Sequence, residues 1–335
     1  MSAAATPHRQ HAGVARARCI LAAYAPATAH EFERVTAAAA AACGTAAWTG
    51  GYLNQTDAPL EFSFSSASRD LRYTMEVGAS AAAPATRLAA AGAVLDALGV
   101  DPAWTGVARG FPALQRGAPL DWGAWLAARQ PGGAHPAGAA TRFKLYAEVA
   151  DASGAPAAAL LRKYVKTMPL ALASRARLVM VGAAPGAERC EFYFELGSRA
   201  LSLEHLRGLL AHVGLAHHGA ALAALVNGFD FRHGRVAQAL PRAQYGFSYS
   251  LLPDGEEAEF ALFAFAADLA GGEAGVRRQV LAAARRGGLD PEPYAAITAP
   301  LAHSQPGQRY HNMLTFFAGE RALPGWQISV SPPPG

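Results

Sequence analysis

The chain has 335 residues, of which 52% are hydrophobic and only 16% are charged, which is enough apolar material for a large buried core. Its net charge of +4 is too weak and too scattered to indicate a nucleic-acid-binding protein, and the absence of an unbroken apolar run of about 18 residues argues against a transmembrane helix. The three cysteines, Cys19, Cys43 and Cys190, are too widely spaced to predict a disulfide framework or a zinc site, which favours a reducing cytoplasm.

Residues 1–15 are small and polar and predict a disordered N-terminus, followed by a single domain over residues 16–335. Within that domain, paired strand-like runs alternate with paired helix-like runs. Helical spacing predicts helices at His30–Ala42, Ala85–Leu98, Leu120–Arg129, Ser202–Val213, Gly219–Val226, Glu273–Arg286 and Pro291–Ala299. Strand patterns occur at Glu61–Ser66, Leu71–Gly78, Arg142–Val149, Arg177–Gly182, Arg189–Leu196, Tyr245–Leu252, Glu259–Ala267, Tyr310–Ala318 and Trp326–Ser331.

One further segment, Ala157–Met168, suits a helix as well as a strand. As a strand it would pair with Arg142–Val149 across the turn Asp151–Gly154, which gives ten strands in five antiparallel hairpins. The predicted fold class is therefore α+β: a ten-stranded antiparallel β-barrel built from ββαα repeats and ringed by helices, in which no strand edge is left unpaired. An open antiparallel sheet with helices on one face is the alternative.

Several of these strands alternate large apolar residues with polar or charged ones. The pattern is clearest in Arg142–Tyr146, Glu191–Glu195 and Phe247–Ser250. Successive side chains of a strand point to opposite faces, so helices outside a barrel would cover the apolar face. The polar face would then line a partly solvated lumen, which predicts a binding chamber in place of a packed core.

Lysine gives the sharpest local signal. Lys144, Lys163 and Lys166 lie within one stretch of a chain that has 29 basic residues. Strand alternation places Arg142, Lys144 and Tyr146 on one face. Two cations and a phenol on an enclosed face would bind a diphosphate well, because charged donors make the strongest hydrogen bonds to phosphate. A solvent-exposed strand face is the alternative interpretation.

A carboxylate and a guanidinium occupy the first predicted hairpin. Glu61 opens the first strand and Arg72 lies on its partner. If both side chains face the lumen, they could act as a base and as an anion ligand. A cross-strand ion pair without function is the alternative.

The ββαα cycle, the Glu61 and Arg72 hairpin and the Arg142-x-Lys144-x-Tyr146 strand together resemble the soluble aromatic prenyltransferases of the ABBA fold, over residues 60–331. That family has a ten-stranded barrel with the active site inside. The resemblance implies transfer of an allylic isoprenoid, dimethylallyl or geranyl, from its diphosphate to an electron-rich aromatic acceptor such as an indole or a phenol. The cyanobactin branch, in which the acceptor is a side chain of a cyclic peptide, remains open.

The resemblance also implies roles for single residues. Glu61 takes the place of the acid that binds the acceptor and removes its proton. The residues expected to bind the diphosphate are Arg72, Arg142, Lys144, Tyr146, Lys163 and Arg177. The tyrosines expected to shield the allylic cation are Tyr193, Tyr249 and Tyr310.

The sequence departs from the family in two places. A second Lys-x-Tyr strand is frequent in the family, but Arg177–Met180 supplies only an arginine, so Lys163 or Lys166 would have to substitute. The last hairpin has His311-Asn312-Met313 where a tyrosine is frequent. Both departures fall on the expected diphosphate site.

Absent motifs narrow the function further. The chain has no Asp-Asp-x-x-Asp motif, so Mg²⁺ is possible as a cofactor but no visible motif requires it. Phosphate-binding glycine loops and a Gly-x-Ser-x-Gly elbow are also missing, which disfavours nucleotide-binding folds and hydrolases. The expected partners are an allylic diphosphate and an aromatic small molecule or peptide, bound by a cytoplasmic monomer without nucleic acid or membrane. A non-catalytic barrel that binds an amphiphile is the alternative, and it would have no use for the Glu61 carboxylate.

Overall fold

The computed structural model describes residues 11–44, 48–100, 106–132, 140–152, 154–164, 176–197, 201–229, 239–253, 256–304 and 307–334. The strands are β1 (Leu60–Ser65), β2 (Ser68–Glu76), β3 (Ala124–Gln130), β4 (Arg142–Glu148), β5 (Ala176–Ala183), β6 (Cys190–Leu196), β7 (Tyr245–Leu251), β8 (Glu259–Phe265), β9 (His311–Gly319) and β10 (Ala322–Val330).

The α-helices lie before the first strand and in the connections between successive hairpins. They are α1 (Ala12–Tyr24), α2 (Pro26–Ala41), α3 (Arg87–Ala97), α4 (Phe111–Leu114), α5 (Ala155–Tyr164), α6 (Leu203–His212), α7 (Gly219–Asn227), α8 (Ala266–Ala270), α9 (Glu273–Arg286) and α10 (Tyr294–Ile297). Among the described residues, no helix combines the length and the hydropathy that a membrane crossing requires.

The strands form one closed antiparallel barrel in which each strand pairs with its sequence neighbours and β1 closes on β10. In the closing pair, Phe62 lies opposite Val330. The predicted barrel is therefore confirmed, and the open sheet is wrong. Since neighbouring strands are antiparallel, the five hairpin connections lie at one end of the barrel, and the longer connections that carry the helices lie at the other.

The helix predicted over Leu120–Arg129 is wrong, because β3 occupies Ala124–Gln130. Alanine, leucine and arginine favour helices intrinsically, but here β2 and β4 pair with the segment on both sides. Its alternate residues are buried, so a period of two governs its packing. Tertiary pairing has overridden the local propensity of this segment.

A buried carboxylate fixes the start of β3. Glu148 at the end of β4 accepts hydrogen bonds from the backbone N–H groups of Asp121, Trp122 and Gly123, at 3.0, 2.8 and 2.6 Å. Gly123 has a φ of +78°, and a Cβ at this position would collide with the Pro84 carbonyl. The chain can therefore turn into the barrel here only with glycine.

The ambiguous segment Ala157–Met168 is helical in its described part, since α5 runs over Ala155–Tyr164. Residues 165–168, with Lys166, lie outside the described residues. The hairpin partner of β4 is accordingly β3. The predicted number of ten strands is therefore correct, but the prediction counted Ala157–Met168 in place of β3. At the N-terminus, residues 12–15 form the first turn of α1, and their predicted disorder is wrong.

The two faces of the barrel wall differ in polarity and exposure. In β6, Cys190, Phe192 and Phe194 face outward and are buried, whereas Glu191 and Tyr193 face the lumen and are partly exposed. The same alternation of buried and partly exposed residues recurs in β3, β8 and β9. Helices cover the apolar outer face, as with Phe32 of α2, whose ring lies 5.5 Å from Phe62. The lumen therefore carries charged and polar side chains on β6, as the alternation predicted, but it is mixed in polarity, because Phe263 of β8 and Phe317 of β9 lie on the same inner face.

A fully buried ion pair joins the barrel to the helical layer. Glu76 at the end of β2 contacts Arg87 at the start of α3, and both side chains are almost completely inaccessible. The second oxygen of Glu76 accepts hydrogen bonds from the backbone N–H groups of Tyr52 and Leu53, at 2.7 and 2.8 Å. One carboxylate therefore holds β2, α3 and the loop before β1 together.

We expect Glu76→Ala to lower the free energy of unfolding by about 3–5 kcal/mol, because the buried Arg87 charge would lose its partner. Chemical denaturation followed by circular dichroism measures this change. Glu33→Ala is the matched control, since the Glu33 pair with Arg18 is exposed and should cost less than about 1 kcal/mol. Equal losses in the two variants would contradict a structural role for the buried pair.

Candidate active site

Three residues of β4 line one side of the lumen, in the order that the strand alternation predicted. Arg142 lies at the hairpin end of the barrel, 64% exposed, with Asp70 at 3.5 Å. Lys144 and Tyr146 follow deeper in the lumen, and the lysine Nζ lies 5.1 Å from the centre of the tyrosine ring. Burial lowers the pKa of Lys144 to about 8. The three side chains therefore form a basic strip that leads inward from the hairpin end of the barrel, which we call the barrel mouth.

Arg72 of β2 is a partly buried cation on the same inner wall. Its Nη1 donates to the Oε1 of Gln327 at 3.1 Å, and its Nε is buried without a hydrogen-bond partner. Burial, and secondarily the nearby Arg129, lowers the pKa of the guanidinium to about 10. Since a buried N–H without a partner is costly, Arg72 is well suited to bind an anion that enters the lumen.

Glu61 of β1 is a buried acid on the inner face. Its Oε2 accepts a hydrogen bond from the Asn312 side chain at 2.8 Å, and Ser329 also hydrogen-bonds to the carboxylate. Burial nevertheless raises the pKa of Glu61 to about 7. A carboxylate with a pKa near neutrality can both accept and release a proton, which is what a general base requires.

Tyr146 connects the acidic and the basic parts of the lumen. The charges of Arg72 and Glu61 both act on its phenol, and burial raises its pKa. Its ring meets that of Tyr193 edge to face, with the centres 5.8 Å apart. Two electron-rich rings thus lie next to the basic side chains of the lumen, where they could stabilise a carbocation.

Four of the predicted site residues lie elsewhere or in a different setting. Tyr249 faces outward, and its hydroxyl donates to the Leu209 carbonyl of α6 at 3.0 Å, so its predicted place in the lumen is wrong. Lys163 lies on α5 outside the barrel, 53% exposed and 3.5 Å from Glu188. Its prediction as a diphosphate ligand failed because the segment is a helix.

Arg177 and Tyr310 are the other two. Arg177 begins β5, and because β4 and β5 are antiparallel, it lies at the opposite end of the barrel from Arg142. It pairs there with Glu195 at 2.7 Å and is 67% exposed. Arg142 and Arg177 therefore cannot bind one diphosphate. Tyr310 is half-buried against the hydrophobic core just before β9, and its shielding role stays a prediction.

The structure adds lumen residues that the sequence did not identify. Asn312 and Gln327 orient Glu61 and Arg72, and both belong to the last hairpin, where His311-Asn312-Met313 departs from the expected pattern. Trp125 of β3 presents an aromatic face to the lumen and stacks on Trp122, with ring centres 3.8 Å apart. It was missed because its segment was predicted to be a helix.

A separate cavity of about 710 Å³ lies outside the barrel, between α7, α9 and the β9–β10 hairpin. Its two cations are already engaged, since Arg286 donates to the Gly228 carbonyl at 2.8 Å and Arg321 contacts Glu257. The side chains that line it include no carboxylate. The lining of this cavity thus offers no counterpart to Glu61.

The described residues contain no group of three or more histidine, cysteine, aspartate or glutamate side chains that could hold a metal ion. The cationic side chains on the lumen side of β2, β3 and β4 are Arg72, Arg129, Arg142 and Lys144.

No protein-family model and no curated protein matches the sequence. Solved structures do match. They include 6-dimethylallyltryptophan synthase from Micromonospora olivasterospora in complex with DMASPP and Trp (TM-score 0.70, 17% identity, 96% of this chain and 98% of that chain). They also include 5-dimethylallyltryptophan synthase from Streptomyces coelicolor (0.65, 16%, 96% and 95%) and AnaPT from Neosartorya fischeri (0.60, 12%, 96% and 93%).

The chain has the ABBA prenyltransferase fold. The ABBA resemblance noted from Glu61, Arg72 and the β4 strip is confirmed at the level of the fold, over nearly the whole chain. At 12–17% identity, the likeness does not carry substrates or residue roles with it.

The raised pKa of Glu61 predicts a pH-dependent change in stability. The folded state, with a pKa of about 7, binds this proton more tightly than the unfolded state, with the ordinary value of 4.5. The wild type should therefore lose stability as the pH rises from about 4.5 to about 7. Glutamine stays neutral and can still accept the Asn312 hydrogen bond. We expect Glu61→Gln to be about 3 kcal/mol more stable than the wild type at pH 8 and equally stable near pH 4.

Urea denaturation at both pH values measures this difference. Glu33→Gln is the control, since Glu33 is exposed on α2 and its variant should follow the wild type at both pH values. A Glu61→Gln variant that is no more stable than the wild type at pH 8 would show that the folded protein does not raise the pKa of Glu61.

Proposed function

We propose that the protein is an aromatic prenyltransferase, which transfers a dimethylallyl or geranyl group from its diphosphate to an electron-rich aromatic acceptor. The observation that carries the proposal is the shared lumen of Arg72, Lys144, Tyr146 and Glu61. There a guanidinium with a buried, unpartnered Nε and an acid with a pKa of about 7 both act on one phenol. The fold supports the same conclusion.

The basic residues would bind and activate the donor. As the allylic C–O bond breaks, negative charge grows on the leaving diphosphate, and the Arg72 and Lys144 charges stabilise it. Arg72 Nε faces no competing partner, so the diphosphate would satisfy a buried donor as well as neutralise a charge. Arg142 at the barrel mouth would attract the donor from solution.

The aromatic residues would protect the carbocation that remains. Tyr146, Tyr193 and Trp125 present ring faces to the lumen. A cation next to electron-rich rings is stabilised, and a lumen enclosed by ten strands and a helical layer limits its capture by water.

Glu61 would then complete the substitution. The acceptor ring attacks the allylic carbon, a C–C or heteroatom–carbon bond forms, and the acceptor loses a proton to the carboxylate. Asn312 and Ser329 hold the carboxylate in place. We propose an indole as the first acceptor to test, since structural neighbours are tryptophan prenyltransferases, one of them solved with Trp.

Further parts of the proposal concern the whole protein. We propose that the single domain predicted over residues 16–335 also includes the start of α1 from Ala12, because one closed sheet uses strands from residue 60 to residue 330 and Val14 of α1 is buried in the surrounding core. We also propose that the protein acts as a monomer and that it is cytoplasmic; its three free cysteines support the second of these two proposals.

Mass spectrometry of the purified protein with dimethylallyl or geranyl diphosphate tests the reaction. The acceptors are tryptophan, tyrosine, simple phenols and short cyclic peptides, each with and without EDTA. We expect an acceptor to gain the mass of one isoprenoid unit, and the EDTA reactions report the need for a metal. If the donor binds the protein but stays intact with every acceptor, a non-catalytic binding barrel is favoured.

Two variants separate the donor site from the base. We expect Arg72→Gln to lower kcat/KM for the donor about 100-fold, because an anion-stabilising donor is lost. Glu61→Gln should lower kcat about 100-fold with little change in donor KM, because only proton removal is affected. Arg18→Gln, on the outer helix α1, is the control and should stay within about twofold. Full activity of both lumen variants would rule out this site.

The pH profile of kcat/KM provides an independent check. We expect it to rise as Glu61 loses its proton at about pH 7 and to fall as Lys144 loses its charge above about pH 8. The rising limb should be absent from the residual activity of Glu61→Gln. A rising limb that persists in this variant would assign the titration to another group.

A further inference from the structure

The ammonium group of Lys144 has an anionic partner inside the protein. Its Nζ contacts the Oε2 of Glu191, which lies on β6, two strands away in the barrel wall. The Nζ also lies 3.5 Å from the Tyr193 hydroxyl and 5.7 Å from the centre of that ring. The lysine is thus held on the β6 side of the lumen by a carboxylate and an aromatic ring.

The Glu191 carboxylate is itself fixed. Its other oxygen, Oε1, accepts a hydrogen bond from the Ser248 hydroxyl of β7 at 2.8 Å. The Glu191 side chain is 17% exposed. Each of its two oxygens therefore has its own partner, and the carboxylate would keep the Ser248 hydrogen bond if Lys144 moved away.

A glycine on the intervening strand makes the contact between Lys144 and Glu191 possible. Gly182 of β5 pairs with Tyr146 on one side and with Glu191 on the other. A Cβ at this position would lie 2.7 Å from the Lys144 Cε and 2.9 Å from the Tyr146 ring. The lysine can lie across β5 only because residue 182 has no side chain.

We propose that Glu191 is a specificity-determining counter-ion of Lys144, which the donor diphosphate must displace, and that Gly182 positions the lysine for this exchange. The inference rests on the proposed function for the identity of the anion. Two anions would compete for one ammonium group, and the carboxylate would repel the diphosphate at short range. Glu191 would thereby weaken the binding of diphosphates in general, so that the prenyl group must contribute to donor affinity.

Titration calorimetry with inorganic diphosphate as the probe tests the exchange without any prenyl transfer. We expect Glu191→Gln to bind inorganic diphosphate about tenfold more tightly than the wild type, because glutamine keeps the Ser248 hydrogen bond and removes the competing charge. Glu188→Gln is the matched control. Glu188 also pairs with a lysine, Lys163, but outside the barrel, so its variant should bind as the wild type does.

The glycine has its own pair of variants. We expect Gly182→Ala to change diphosphate affinity at least about fivefold by displacing Lys144, whereas Gly208→Ala should have no effect. Gly208 lies on α6, where a Cβ meets no atom within 4 Å. Thermal melting of both proteins checks that they are folded. A folded Gly182→Ala variant with wild-type affinity would remove the positioning role of the glycine.

The outcomes separate the inference from the proposed function. If Glu191→Gln binds inorganic diphosphate more tightly but the wild type transfers no prenyl group, the counter-ion role of Glu191 is supported and the proposed prenyltransferase activity is overturned. Prenyl transfer by the wild type together with equal or weaker diphosphate binding by Glu191→Gln would overturn the counter-ion alone. If neither protein binds inorganic diphosphate, the anion site and the counter-ion are both wrong.

Discussion

The burial of apolar surface on the outside of the barrel is the constraint on which the rest of the structure depends. A strand has two faces, and in this barrel the helices take the apolar one, as the contacts of Phe32 with Phe62 and Tyr73 show. The inner face is then free to carry Glu61, Arg72 and Lys144, side chains that a packed core would exclude. Stability and chemistry are thus assigned to opposite faces of the same ten strands.

Enclosure also sets the electrostatics of the lumen. Burial raises the pKa of Glu61 to about 7 and lowers those of Lys144 and Arg72 to about 8 and about 10, so each charge is less stable here than in water. An anion that reaches the basic side stabilises the cations in return. A cationic intermediate would favour the ionised form of Glu61 at the moment when it must take a proton. The low dielectric that makes these groups costly to bury is what makes them reactive.

Much of this arrangement could be predicted from the sequence, because a period of two is visible in residues such as Arg142, Lys144 and Tyr146. The barrel, the charged side chains of its lumen and the places of Glu61 and Arg72 followed from that period. The failures have physical causes. β3 is rich in alanine, so its two faces look alike in sequence, and only pairing with β2 and β4 defines it as a strand. Tyr249 was misplaced because a tyrosine suits either face of a barrel strand; it shares the outward face of Phe247, where its ring is buried and its hydroxyl donates to the Leu209 carbonyl.

Contacts between distant strands could not be predicted at all. The partnership of Asn312 with Glu61 spans the closure of the barrel between its first and last hairpins. The contact of Lys144 with Glu191 depends on the gap at Gly182, which no pattern in the sequence marks. Register and closure determine such contacts, and both are properties of the whole barrel.

A crystal structure with a dimethylallyl thiolodiphosphate, which resists ionisation, would test the central claim most directly. We expect its diphosphate inside the lumen, with oxygen atoms within hydrogen-bonding distance of Arg72 Nε and Lys144 Nζ, and its prenyl group beside Tyr146 and Tyr193. A diphosphate bound instead in the outer cavity beside Arg286 and Arg321, with the lumen unchanged, would contradict a catalytic site inside the barrel.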